Sequence, residues 1–335
     1  MKTKLVYILT STPKDIYLEQ MYVSMFSAKH YMPDAHIVLL TDMETKKTFT
    51  GVREKEIQYA DEVIAVDLDP RKFNGQQRSR QLKTSARNLV DGDFLFVDCD
   101  TIICKPLNEI DSFDFDIAAC EDTHSEFQKN PYKRMCIRHG KLLGWPIENE
   151  TVYFNSGIIY VKDNERTREF YKRWNENLLA GYSKHVSMDQ PSFAKTNYEF
   201  DHIVKKLDDV YNCELKHGIR FLKDAKVIHY LCTNKSVCQE EQLFVMNESK
   251  VLEGIKEEAE IPDEVVKAIL DPFEGLARVT HCFAGNDVQF FTTSLYKEMR
   301  MVYGRPVLFK MVNFIPEVLF RVVNKVNTIR KMRKK

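Results

Sequence analysis

The N-terminal part of the chain alternates between apolar runs of strand length and segments of helical periodicity, and this alternation admits few architectures. "LVYILTS", from Leu5, reads as a strand that breaks at Thr10, Ser11 and Thr12, and "DIYLEQMYVSMFSAKHYM" after it as an amphipathic helix. "AHIVLLTD" and "DEVIAVDL" read as further strands, and "QQRSRQLKTSARNLV" as a helix that delivers the chain into "FLFVDCDTIIC", Phe94 to Cys104. A strand–helix–strand rhythm of this kind is satisfied by a mostly parallel sheet with helices on both faces, an α/β fold. In such sheets ligands bind outside the carboxyl ends of the strands.

Asp98 and Asp100 sit at one such end, between Phe94–Val97 and Ile102–Ile103. A solvated corner is the bland explanation for an Asp-x-Asp, and it suits Asp67/Asp69 or Asp114/Asp116. It suits Asp98 and Asp100 poorly, because apolar runs on both sides place them near the centre of a sheet. Uncompensated charge is expensive there and usually means a metal or a paired cation. Two chemistries compete. The order strand–Asp-x-Asp-x-Thr resembles the opening motif of the haloacid-dehalogenase phosphatases, with Asp98 as nucleophile and Asp100 as general acid. That family has the motif on an early strand and an acidic cluster downstream, whereas here several strands precede it and no convincing Asp pair follows. In the other chemistry the two carboxylates hold a divalent cation, manganese or magnesium, that bridges the diphosphate of a nucleotide sugar and offsets the charge of the departing group.

Composition narrows the class. A chain of 335 residues, 44% hydrophobic and 11% aromatic, buries a core large enough for one α/β domain with additions or for two domains. Lys+Arg and Asp+Glu balance at 49 each, so no basic field marks a nucleic acid as partner. The eight cysteines include no C-x-x-C, which favours free thiols in a reducing cytosol. "MKTKLVYILTSTPKD" lacks the long apolar run and cleavage site of a signal peptide, and no stretch of about 18 apolar residues spans a membrane.

Beyond the Asp-x-Asp, the pieces "VYILTS", "LLTD", "LKTSARNLVDGDFLFVDCDTIICKPL", "YFNSGIIYV", "SMDQPSFA" and "VIHYLCTNK" together resemble the family-8 retaining glycosyltransferases, the group that includes glycogenin and the bacterial lipopolysaccharide galactosyl- and glucosyltransferases. The resemblance runs from Lys4 to Ser236 and implies a GT-A fold, a UDP-sugar donor and retention of anomeric configuration. It implies metal ligation by Asp98, Asp100 and His229, with Lys235, six residues beyond His229, on the diphosphate. Cys232, Ser236 and Val237 depart from the H-x-x-G-x-x-K-P-W pattern, and His281 is a weaker rival to His229. It further implies Lys83 facing the donor, Asn155 and Ser156 on sugar hydroxyls with Gly157 admitting a close approach, and Thr10, Thr12 and Asp42 on the nucleotide side. Asp189 and Gln190 would meet the transferred sugar, Asp189 being nearest to a group that stabilises a sugar cation. Each has an ordinary alternative: a surface lysine for Lys83, a turn for Asn155 and Ser156, a strand-end turn for Asp42, a helix cap for Asp189. No residue announces itself as a base, which suits assistance by the departing phosphate itself.

The expected organisation is a transferase domain over 1–240, a helical extension over 241–304 and a basic amphipathic tail over 305–335. The tail carries about nine basic residues against Glu317 alone, with Leu308, Val312, Ile315, Leu319, Val322, Val323 and Val326 near helical spacing and Pro316 as a kink. It reads either as a core helix with a frayed end or as an anchor on an anionic membrane surface, which would make the protein cytoplasmic and peripheral at the inner face. The expected partners are a nucleotide sugar and a glycan or lipid-linked acceptor of surface polysaccharide. A catalytically silent nucleotide- or glycan-binding protein on the same fold stays open, and the sequence does not indicate an oligomeric state.

Overall fold

The computed structural model describes residues 1–232, 244–276 and 293–319, the last apart from 304, 306 and 315. In chain order the elements are β1 (Lys4–Leu9), α1 (Tyr17–Tyr31), β2 (Ile37–Asp42), the one-turn helices α2 (Met43–Lys46) and α3 (Val52–Lys55), β3 (Glu62–Val66), α4 (Gly75–Ser85), β4 (Phe94–Val97), β5 (Thr101–Ile103) and β6 (Ile117–Glu121). There follow α5 (Lys133–Leu143), β7 (Phe154–Val161), α6 (Glu165–Tyr182), α7 (Asp189–Glu199), β8 (Val204–Lys206), β9 (Cys213–Glu214), β10 (Val227–His229), α8 (Ser249–Glu258), α9 (Asp263–Leu270) and α10 (Ser294–Tyr303).

Seven strands form the main sheet in the order β3-β2-β1-β4-β7-β6-β8, and β5-β10-β9 form a smaller one. β1 pairs in parallel with β2 on one side and β4 on the other, while β7 runs antiparallel to β4 and β6. The strand order therefore reverses at β1/β4, the place where an open α/β sheet leaves a crevice for a ligand. β4, and β1 from Leu5 onward, are apolar throughout because helices cover both faces. Leu5, Tyr7, Leu95 and Val97 meet α1 on one face, while Val6, Ile8, Phe94 and Phe96 meet Phe170, Trp174 and Phe193 on the other. Side chains two apart share a face, so one strand serves two cores. Local signals place the helices as well. Asn74 and Gln77 form a reciprocal cap on α4, and Asn164 with Thr167 does the same for α6.

The helices α8 and α9 share an apolar cluster with α1, in which Val251, Leu252, Ile255, Val265 and Ile269 pack with Tyr22 and Val23. The Tyr22 hydroxyl donates to the Ala259 carbonyl at 2.8 Å and the Tyr31 hydroxyl to that of Ile269 at 3.0 Å. Residues 280–335 form a unit of their own, helical in α10, 307–314 and 316–319, with Pro316 opening the last stretch. In it Val307, Leu308, Met311, Phe314, Val318 and Leu319 are exposed. No helix among the described residues is long and apolar enough to cross a membrane.

Candidate active and metal site

β4 ends in Asp98, and the chain turns at once into β5, so Asp98 and Asp100 emerge together at the crevice. Backbone bonds fix the turn: the Asp98 N–H donates to the Gly157 carbonyl at 2.9 Å, and Tyr230 N–H to that of Asp100 at 3.2 Å. His229, the last residue of β10, is brought opposite Thr101 by antiparallel pairing with β5. One ligand atom from each of Asp98, Asp100 and His229 lies within 4.8 Å of the others. His229 Nε2 is 3.2 Å from Asp100 Oδ1, and the Cys232 N–H donates to Asp100 Oδ2 at 2.9 Å.

These donors fit a hard divalent cation, two carboxylate oxygens and an imidazole nitrogen suiting manganese or magnesium. A residue that the sequence did not single out makes the fit specific. Asn212 Oδ1 lies 2.9 Å from His229 Nδ1, so the amide oxygen accepts from Nδ1–H; loss of the other proton then bares the Nε2 lone pair on the side of the carboxylates, the tautomer a metal requires. Gly157 is the second such feature. A methyl group there would stand 2.5 Å from His229 Cε1 and 2.9 Å from Nδ1. The close approach expected at Gly157 thus involves the buried imidazole of His229, whose ring occupies the space a side chain would fill.

The cluster is electrostatically uneven. Burial pushes the Asp98 carboxyl up to about 6, against the pull of Lys83 and His229. For Asp100 burial acts the same way but loses to His229, and its carboxyl is held below the usual range. His229 is pushed up to about 9, because Asp100 outweighs the burial that would lower it. Without a cation one carboxylate is therefore matched to the imidazolium and the other is strained.

A second group adjoins the first. Lys83 is buried, not a surface lysine, with Nζ 3.3 Å from Asp98 Oδ1, 3.1 Å from Asp189 Oδ2 and 4.5 Å from the centre of the Phe96 ring. Asp189 also faces Arg80 at 3.5 Å and accepts from the Ser156 hydroxyl at 2.9 Å. Met188, not Asp189, holds the N-cap position of α7. Against burial, Lys83 and Arg80 pull the Asp189 carboxyl down to about 2, so it is ionised throughout the working range of pH. Gln190 Nε2 and Asn155 Nδ2 both donate to Asp122 Oδ1, at 2.9 and 3.3 Å, and Asn155 and Ser156 lie within β7 instead of a preceding turn. Asp122 and Arg80 escaped the sequence reading because no local motif carries them.

On the other side of Asp98 is the loop after β1. The Thr10 hydroxyl is buried with no hydrogen-bond partner among the described residues. Thr12 donates its hydroxyl to Asp15 Oδ2 at 3.0 Å. Asp42 is fully buried, caps α2 by accepting from Thr45 N–H at 2.6 Å and pairs with Arg78 at 2.6 Å, so a nucleotide contact would have to share those oxygens. Lys235 and His281 lie outside the described residues. Beside Asp100 opens a cavity of about 390 Å³, walled by Asp122, Gln190 and Glu214 and by the apolar surfaces of Tyr132, Tyr153 and Met188.

Residues 89–252 match the family model described as nucleotide-diphospho-sugar transferase. Among solved structures, the chain is similar to the galactosyltransferase LgtC in complex with donor and acceptor sugar analogues, at 14% identity and a TM-score of 0.51, covering 79% of this chain and 99% of that one. It is also similar to the glycosyltransferase GlyE of Streptococcus pneumoniae TIGR4, at 16% identity and a TM-score of 0.50, covering 76% of this chain and 61% of that one. At such identities the likeness concerns the fold, which is the GT-A fold. A search of curated proteins returns no match.

Proposed function

We propose that this chain, whose residues 89–252 match the nucleotide-diphospho-sugar transferase model, is a glycosyltransferase of that family that moves a hexose from a UDP-sugar to a glycan or lipid-linked acceptor, metal-dependently and with retention. The observation that carries this reading is the convergence of Asp98, Asp100 and His229 at the reversal point of the sheet, with Asn212 setting the imidazole tautomer. A manganese or magnesium ion held there would offset the charge of the departing diphosphate.

The chain's own residues have distinct tasks around that centre. Thr10, Thr12 and Asp42 line the nucleotide side, and Lys83 and Lys235 supply positive charge to the donor. Asn155, Ser156 and Gln190 orient the sugar, and Asp189, fixed as an anion between Lys83 and Arg80, faces the positive charge that develops on it. The cavity beside Asp100, polar at one wall and apolar at the other, is of a size and lining that suit an acceptor sugar.

Calorimetry on the full chain tests the reading. UDP should bind with manganese present and lose nearly all affinity in EDTA, and manganese should allow slow release of free hexose from one or more UDP-hexoses. Equal UDP binding in EDTA would remove the metal from the site. Metal-dependent binding with no hexose released from any UDP-hexose would identify a silent binder.

The tail belongs to the same proposal. Each basic residue near an anionic leaflet contributes roughly 1 kcal/mol before screening, and the exposed Leu308, Phe314 and Leu319 add an apolar contribution. Deleting 305–335 should therefore release the protein from anionic vesicles in co-sedimentation and leave hexose release intact. A truncated protein that aggregates would place those residues in a core.

A further inference from the structure

The loop after β1 is held from outside the sheet by two basic residues. Arg53, on α3, donates through Nη2 to the Ser11 hydroxyl at 3.1 Å and through Nη1 to the Thr12 carbonyl at 3.4 Å. Lys256, on α8, donates to the Pro13 carbonyl at 3.3 Å and also to the Asp15 carbonyl. Asp15 ties the loop internally, accepting from the Ser11 hydroxyl at 2.6 Å and the Thr12 N–H at 2.7 Å. Ser11, Thr12, Pro13 and Asp15 are thus fixed by an internal carboxylate and by cations from two separate helices.

Beneath the two cations lie two carboxylates with no evident structural gain of their own. Glu19 and Glu56 are fully buried, and none of their four oxygens takes a hydrogen bond among the described residues. Glu19 Oε1 is 3.4 Å from Lys256 Nζ. Burying such groups is costly, so an arrangement of two acids under two bases makes sense where it holds the bases at fixed positions. Both bases touch the loop, Arg53 also donating to the Thr48 hydroxyl at 3.1 Å, and the loop stands at the C-terminal end of β1, beside β4 and its Asp98. Lys256 lies just beyond the segment that matches the family model, so the region following that segment reaches back to the donor side of the crevice.

We propose that Lys256 is a positioning residue for the donor nucleotide: by holding the carbonyls of Pro13 and Asp15, it keeps the 10–15 loop in the shape that receives the nucleoside, and Arg53 does the same for Ser11 and Thr12. This rests on the reading of that loop as the nucleotide side of a transferase site. It makes donor affinity depend on the docking of α8, whose apolar residues pack on α1. The residue touches neither the metal cluster nor the sugar, so its effect is on donor binding and not on the ligand set of Asp98, Asp100 and His229.

The test is UDP binding by calorimetry in saturating manganese, on the full chain. Lys256→Met keeps the aliphatic stem and removes the donors, and UDP affinity should fall about tenfold, the worth of a charge-assisted hydrogen bond or two. Lys256→Arg should recover most of it. Because the single variant leaves Glu19 buried without its cation, the double variant Lys256→Met/Glu19→Gln removes both charges and spares the fold. It should regain melting temperature but not UDP affinity, a separation that a merely structural role does not produce. Wild-type UDP affinity in the double variant overturns the proposal. Failure of the wild type to bind UDP in manganese is a different result, since it overturns the transferase reading and this inference with it.

Discussion

Asp98→Asn and Asp100→Asn should each lower manganese-dependent UDP affinity by two orders of magnitude or more, and they should move the melting temperature of the metal-free protein in opposite directions. The common loss follows from removing one of the three proposed ligands. The opposite stabilities follow from the surroundings. Asp98 has a folded pKa above the unfolded value, so its charge costs stability once the pH passes the ordinary carboxyl range, and the full cost is present above about 6. At pH 7.5 Asp98→Asn removes that cost, and with about a third of the side chain exposed the gain is discounted to roughly 1 kcal/mol. Asp100 has a lowered pKa, so its charge contributes stability above the carboxyl range and loses it as pH falls. Asp100→Asn leaves the buried His229 without its partner and should cost on the order of 1–3 kcal/mol at the same pH. Isothermal titration with manganese and UDP, beside thermal melts in EDTA, reads both effects. Two variants that both gain, or both lose, melting temperature would contradict this assignment of roles within the pair.

Metal and proton compete for the same imidazole nitrogen. His229 is held protonated in the metal-free protein up to about pH 9, so its ion pair with Asp100 stabilises the fold below the ordinary histidine range and fades as pH rises through 9. A ligand nitrogen must lose that proton first, so manganese affinity should rise with pH toward 9 in a titration series, the counterpart of the fading ion pair.

Those parts of the site carried by local pattern were legible before any coordinates. The apolar runs that became β1, β2 and β4 are buried on both faces, and such runs end where the covering helices end; that is why Asp98 could be placed at a strand terminus from Phe94–Val97 alone. His229 came from the family-8 resemblance, through the spacing to Lys235 that the resemblance carries, and the structure brings it to the two carboxylates. What could not be read is what the second sheet assembles. β9 contributes two residues and β10 three, too short for any periodicity, yet the pairing of β10 with β5 sets His229 opposite Thr101, and the pairing of β9 with β10 brings Asn212 to its Nδ1. Asp122 was hidden for a similar reason, because it meets Gln190 and Asn155 only after β6 and β7 pair. Lys256 is 241 residues from the Asp15 carbonyl it holds, and no sequence signal connects them. For Asp189 it is the ordinary alternative that fails: its place beside Pro191 suits a helix cap, but a cap must bond the backbone N–H groups of its helix, and the cations Lys83 and Arg80 with the Ser156 hydroxyl draw its oxygens away instead.

Gly157→Ala should do nearly as much damage to metal binding as removal of a ligand, although Gly157 has no side chain to ligate anything. Its backbone is ordinary strand, so alanine brings no dihedral penalty, and the effect is one of volume. The added methyl would stand 2.5 Å from His229 Cε1, 2.9 Å from Nδ1 and 2.9 Å from Asn155 Oδ1, distances that force something to move. The strand is held on both sides, by β4 and β6, and the imidazole is the softer party. Pushing the ring aside breaks the alignment of Nδ1 with Asn212 and carries Nε2 away from the carboxylates. Overpacking of this kind typically costs about 1–3 kcal/mol of stability, and loss of ligand orientation about 10–100-fold in metal affinity. The two routes to the loss are separable by a double-mutant cycle with His229→Ala. If the methyl acts through the imidazole, Gly157→Ala/His229→Ala should bind manganese and UDP no worse than His229→Ala alone, and should recover melting temperature relative to Gly157→Ala because the crowded ring is gone. Wild-type manganese dependence in Gly157→Ala would mean that His229 is free to shift without consequence, and the imidazole would then have to be struck from the ligand set.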